Sequence, residues 1–127
     1  MTTCKIVLAL MLSLILGGCV TNTVTNLTAR QIPRNANGVY LFEVVFDSNQ
    51  QSLRLESVQP QVLIGPNSYP MQPALKLKDR WEALIPITAT NQSASYRYKF
   101  DYQYNRFGNT GSGSVLSQSY RLEIVDQ

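Results

Sequence analysis

The chain has no histidine anywhere in its 127 residues, and only two cysteines, Cys4 and Cys19. The first absence removes the commonest general base and metal ligand at neutral pH. A serine nucleophile would have no imidazole to activate it, and zinc sites built from thiolate and imidazole are excluded. Charged residues are scarce, at 15% of the chain, and Lys and Arg never form a run. A formal net charge of +3, spread this thinly, is not the electrostatic footprint of a nucleic-acid-binding protein. The carboxylates, from Glu43 to Asp126, are scattered, and no spacing pairs two of them for acid–base work. These absences point away from an enzyme and imply no cofactor and no metal. No apolar run approaches the roughly 20 residues of a membrane-spanning helix.

What is present begins at the N-terminus. Lys5 is the only charge before residue 30, and Ile6 to Leu16 is an 11-residue apolar run broken only by Ser13. Gly17-Gly18 follow. A positive n-region, an apolar h-region of this length and a small-residue cleavage site make a secretory signal. The other reading is a short buried helix, but a stretch apolar all round has no polar face to show solvent.

The residues Leu16-Gly17-Gly18-Cys19 resemble the lipobox of bacterial lipoproteins, placed where the h-region stops. In that family the cysteine sulfur receives a diacylglyceryl group, the signal is cut before the cysteine, and the new amine is usually acylated. The resemblance implies a signal peptide over 1–18, cleavage between Gly18 and Cys19, and lipidation of Cys19. Two or three acyl chains, at about 0.8 kcal/mol per buried CH₂, anchor a protein stably without spanning the bilayer. Val20 stands where an aspartate commonly retains enterobacterial lipoproteins in the inner membrane. That pattern implies an outer-membrane protein facing the periplasm.

Removal of the signal leaves 109 residues, enough for one small core. Ten Lys and Arg then face eight Asp and Glu, a net of about +2. With Cys4 lost and Cys19 committed to lipid, no thiol remains for a disulfide, although an exported domain could have used one. Core packing alone must hold the fold.

The segment 19–37 is rich in Thr and Asn and reads as a polar tether, with a short strand around Leu27 to Ile32. From Gly38 to the end the pattern is β. Tyr40, Phe42, Val44 and Phe46 share one face by the two-residue period. Leu53 and Leu55 alternate with Arg54 and Glu56, and Leu75 and Leu77 with Lys76 and Lys78. Gly65-Pro66-Asn67-Ser68 carries strong turn chemistry between Val62-Leu63-Ile64 and Tyr69 to Met71. Trp81 to Ile85, Tyr96 to Tyr104 and Val115 to Val125 complete the pattern. About seven strands at short spacing, with no sustained helical period, predict an all-β fold: a small antiparallel, immunoglobulin-like β-sandwich over 38–127.

The strand from Tyr96 stands out. Tyr96, Tyr98, Phe100, Tyr102 and Tyr104 lie on one face, and Arg97, Lys99, Asp101 and Gln103 on the other. The plain reading is a core-facing strand with a solvated back. Nine residues at roughly 3.3 Å each span about 30 Å, more than a small core is expected to cover. Tyr96 and Tyr104 are therefore the rings expected at the rim, with hydroxyls in water and faces free to stack on sugar or protein. Trp81, the only tryptophan, is either a core keystone or a binding residue. Asn105 to Ser114 holds Gly108, Gly111 and Gly113. It reads as a ten-residue connection longer than the common hairpin loops, presenting Arg106 and Phe107 at its tip.

Trp81-Glu82-Ala83-Leu84-Ile85-Pro86-Ile87, followed by Tyr96-Arg97-Tyr98-Lys99-Phe100, is similar to starch- and glycogen-binding sandwich modules. There a tryptophan strand ending in proline leads to a Tyr-x-Tyr-Lys-Phe-like strand. The family usually continues with Asp-Gly, whereas here Tyr102 follows Asp101. The resemblance implies a sandwich fold and, through the aromatic residues, a glycan ligand.

The function these features predict is a lipid-anchored, non-enzymatic interaction or assembly subunit of the cell envelope. Its partners would be the membrane, through Cys19, and an envelope protein. The alternative is a module that binds an envelope glycan. The candidate binding surface is Trp81, Tyr96, Tyr104, Arg106 and Phe107.

Overall fold

A computed structural model describes residues 19–126. The signal segment expected over 1–18, with Gly18 of the cleavage site, lies outside the described residues. Ten strands follow in chain order: β1 (Asn22–Asn26), β2 (Gln31–Pro33), β3 (Val39–Ser48), β4 (Gln59–Ile64), β5 (Asn67–Pro70), β6 (Gln72–Pro73), β7 (Arg80–Pro86), β8 (Ser93–Arg106), β9 (Asn109–Leu116) and β10 (Tyr120–Val125). The fold is all-β, in two packed sheets. One sheet runs β1-β3-β7-β6 and the other β2-β10-β8-β4-β5, with β9 also paired to β8. Every pairing is antiparallel except that of β2 with β10. This is the ABED-against-GFC order of the immunoglobulin sandwich, with the second sheet extended at both edges, by β2 beside β10 and by β5 beside β4.

The two-residue period sets the core. Tyr40, Phe42, Val44 and Phe46 of β3 are all buried, as are Tyr96, Tyr98 and Phe100 of β8. In antibody domains the equivalent strands are joined by a disulfide. Here aromatic rings join them. Phe46 stacks on Phe100 with centroids 4.3 Å apart, and Phe42 meets Tyr96 edge to face at 4.9 Å. Removing one such ring to alanine costs about 3–5 kcal/mol. A domain of this size has only about 5–15 kcal/mol of stability in all.

Three local features differ from the alternation pattern, each for a physical reason. First, Leu53–Glu56 forms no strand: Leu53 makes one isolated bridge to Tyr104, and Leu55–Ser57 is a single 3-10 turn. Second, Leu75 and Leu77 lie in a loop, because Lys76 and Asp79 take positive φ of 65° and 60°, a conformation no strand accommodates. Third, the expected strand Val115 to Val125 is broken by a bulge. Ser117 N donates to Tyr98 O at 2.9 Å, while Tyr98 N donates to the Ser117 hydroxyl at 2.8 Å rather than to a carbonyl. Tyr120 then pairs with Tyr96, so Gln118 and Ser119 together oppose Arg97. Two residues against one reverse the pleat. Val115 and Ser117 face inward before the bulge; Leu122 and Ile124 do so after it.

The segment expected as a tether is instead part of the sandwich. β1 pairs with β3 and β2 with β10, so the chain crosses from one sheet to the other between Asn26 and Gln31. The tyrosines of β8 pin that crossing. Tyr98 donates to Asn26 Oδ1 at 2.7 Å and lies 2.8 Å from the Thr28 hydroxyl; Asn26 Nδ2 donates to the Tyr96 hydroxyl at 2.9 Å. Glu43 N donates to the Thr28 hydroxyl at 3.0 Å. Burial pushes both the Tyr96 and Tyr98 phenols above their ordinary value, Tyr98 strongly. Nothing but Cys19, Val20 and Thr21 precedes β1 among the described residues.

Candidate functional site

The topology gathers four separated segments at one end of the sandwich. They are Cys19 to Thr21, the β3–β4 connection, the β6–β7 connection and the β8–β9 turn. Backbone hydrogen bonds fix their proximity. Asn105 N donates to Ser52 O at 2.8 Å, Arg54 N to Gln103 O at 3.0 Å, and Phe46 N to Asp79 O at 3.0 Å. Asn49 ties in the first segment: its side chain accepts from Thr21 N at 2.6 Å and donates to Cys19 O at 3.1 Å.

Between the β3–β4 and β6–β7 connections lies an open groove of about 360 Å³, at the small end of ligand-binding pockets. Its apolar wall includes Phe46, Leu53, Leu55, Val58, Leu77 and Trp81. Trp81 pairs with Val44 and packs on the margin of the core, half-buried. Trp81 thus closes the margin of the core and lines the groove.

The aromatic face of β8 grades from core to surface. Fourteen residues, at about 3.3 Å each, carry this strand well past its six-residue neighbour β4. Tyr96 was expected at the rim, but it is 2% exposed. Its ring is enclosed by Phe42, Tyr98 and Tyr120, and its hydroxyl meets Asn26 rather than water. Tyr96 is a core residue and leaves the candidate surface. Tyr102 and Tyr104 are half-buried, at the other end of the strand.

The glycine-rich stretch is also not a ten-residue connection. β8 and β9 are paired down to Arg106 with Asn109, which leaves a turn of two residues, Phe107 and Gly108. Gly108 takes φ of +86°, as the second central residue of a type II turn must. Gly113 stands opposite Tyr102 and Gly111 opposite Tyr104. The two rings lean across and cover the space where a Cβ would be; at Gly113 such an atom would lie 2.6 Å from the Tyr102 ring. The glycines are sites of close ring packing, not of loop freedom. Arg106 lies over the Tyr104 ring at 5.3 Å and donates to its hydroxyl at 2.9 Å. Phe107, at the tip, is fully exposed.

Of the residues singled out in the sequence, the structure therefore brings Cys19, Trp81, Tyr104, Arg106 and Phe107 to one end, and takes Tyr96 away. Sequence reasoning missed Leu55, Leu75 and Leu77, which join them there, exposed. Their alternation with charged residues was read as strand. Glu56, in the same region, is held below the usual carboxylate range, first by a backbone hydrogen bond and then by Arg54, whose Nε donates to it at 3.0 Å. Among the described residues, no three His, Cys, Asp or Glu gather as a metal site requires, and no helix is long and apolar enough to cross a membrane. Comparison with protein-family models, curated proteins and solved structures returns no match.

Proposed function

We propose that this protein is a lipid-anchored subunit of the bacterial cell envelope, on the outer membrane facing the periplasm, that acts by binding another envelope protein rather than by catalysis. The observation that carries the reading is Cys19. It closes the Leu-Gly-Gly-Cys box, its side chain is exposed, and it stands immediately ahead of a self-contained sandwich core. A free thiol there has no structural partner among the described residues, so lipidation would cost the fold nothing. The immunoglobulin-type architecture fits the second half of the reading, because its sheet faces offer broad surfaces for a partner. On the outer face of the first sheet, Leu41 and Leu84 are paired across β3 and β7 and exposed.

The test has two arms. Cys19→Ala should leave an unprocessed, lipid-free precursor; normal processing and acylation of that variant would remove the anchor. Affinity purification of the wild-type protein from gently solubilised envelopes should recover a stoichiometric protein partner. A clean monomer under every mild condition would remove the assembly role.

A second reading, binding of an envelope glycan, is favoured by Trp81 in the groove wall. It has less support from the other rings, since Tyr96 is buried and Arg106 covers Tyr104. Glycan-array binding that is lost in a folded Trp81→Ala variant would establish it.

A further inference from the structure

The anchor and the fold constrain each other through Asn49. Its backbone N donates to Thr21 O at 3.1 Å, and its side chain holds both Thr21 N and Cys19 O. The chain is thus fixed to the end of the sandwich right up to Cys19. A residue spans only about 3.5 Å, so there is no tether to let the domain swing away from its lipid. A diacylglyceryl group on the Cys19 sulfur would bring the bilayer surface against this end of the fold.

The residues waiting there suit that contact. Leu55 is 63% exposed, Leu75 88%, Leu77 51% and Phe107 109%, with Val20 beside the anchor at 57%. They come from four segments, and Leu55 and Leu77 stand at the groove wall beside Phe46 and Val58 with much of their surface in solvent. Large apolar side chains clustered at one end of a small domain mark an interaction site rather than ordinary surface. Lys76, Lys78 and Arg106 are interleaved with them in sequence. Arg54 is bridged to Glu56, and Arg80 to Glu43 further up the sheet. Asp47 and Asp79 offset part of the remaining charge. The net positive balance is small, so anionic lipid would assist the contact, and apolar insertion would carry it.

We infer that this end of the sandwich lies on the phospholipid bilayer. Leu55, Leu75, Leu77 and Phe107 enter the boundary between headgroups and acyl chains, and Lys76, Lys78 and Arg106 meet the phosphates. The inference rests on the lipid-anchor reading proposed above. It goes beyond it in fixing an orientation: β3 and β8 rise from the membrane, and the paired Leu41 and Leu84, in the far half of the sheet, are held toward the periplasm. The opposite end, where Arg34 ties Asp126, Ala89 and Asn91 together, is the part farthest from the lipid.

The experiment uses the full chain, processed in cells, purified in detergent and reconstituted into vesicles of phosphatidylethanolamine and phosphatidylglycerol. Two single variants, Phe107→Cys and Leu84→Cys, each replace an exposed side chain and carry an environment-sensitive thiol dye. Lipids bearing a quencher at the headgroup–acyl boundary are then added. Insertion to a depth of about 5–10 Å should quench the dye at position 107 at least about threefold more than at position 84. The intact mass reports the state of Cys19, and an acylated Cys19 takes no dye. Equal quenching at the two positions on acylated protein would overturn the inference while leaving the anchor in place. A bare Cys19, seen by mass and by labelling of the wild-type chain, would overturn the anchor and the inference with it.

Discussion

The hydroxyl of Tyr98 donates to Oδ1 of Asn26 across 2.7 Å, and this contact holds the first strand at the point where it leaves one sheet for the other. Asn26 and Thr28 are polar residues turned toward a buried phenol, and Glu43 O lies within 3.1 Å of it as well. Tyr98→Phe keeps the ring packing but leaves these groups short of a partner. We expect a loss of about 1–3 kcal/mol, read as a lower midpoint in urea denaturation with an unchanged slope. Tyr40→Phe is the comparison. The Tyr40 hydroxyl has only a 3.5 Å contact from Asn35 N, and its removal should leave stability near wild type. Equal losses in the two variants would mean that ring environment, not the polar junction, sets the cost.

The same burial makes stability depend on alkaline pH. Desolvation raises the Tyr96 and Tyr98 phenols above the ordinary value of 10.0. The fold therefore favours their protonated forms. Below pH 10 both states of the protein carry those protons, and the contribution is fully present. Above it the unfolded chain releases them while the native chain does not, so stability falls as pH rises. Thermal denaturation should show a melting temperature that declines progressively above about pH 10. In a spectrophotometric titration at constant temperature, the Tyr96 and Tyr98 phenols should stay silent until the protein unfolds. Free titration of both in the folded state would show that the crossing segment opens readily.

Much of this was legible in the residues, and the exceptions have identifiable causes. The inward faces of β3 and β8 follow from strict alternation of large apolar side chains, and the hairpin at Gly65-Pro66 follows from turn chemistry, with Gly65 at φ of +54°. β1 was hidden because an edge strand of Asn and Thr buries little: Val24 is its only apolar residue. The bulge at Gln118–Ser119 did leave a trace, since the apolar positions shift from odd numbers at Val115 to even numbers at Leu122 and Ile124. At the candidate site, Trp81, Tyr104, Arg106 and Phe107 were visible as residue types, but their convergence with Cys19 was not. It depends on strand order, which brings together segments up to about ninety positions apart. Tyr96 was misplaced for a related reason: alternation tells which face a ring is on but not how far along that face the core extends.

The pairing of glycine with tyrosine across β8 and β9 offers the sharpest test of that hairpin. At Gly113 a side chain would have to displace the Tyr102 ring, which itself leans on Phe46 with centroids 6.3 Å apart. Gly113→Val has good strand propensity and no φ conflict, so propensity alone predicts a gain. Ring displacement predicts the reverse, a loss of about 1–3 kcal/mol as expected for overpacking. Gly65→Ala separates steric from backbone effects, because no atom lies within 4 Å of the added Cβ and only the positive φ resists it. That cost should be about 1–2 kcal/mol and should leave the tyrosine environment untouched. Near-ultraviolet circular dichroism, which reports ring packing, should therefore change in Gly113→Val and not in Gly65→Ala. A Gly113→Val protein with wild-type stability and an unchanged aromatic spectrum would show that Tyr102 does not depend on the space the glycine leaves.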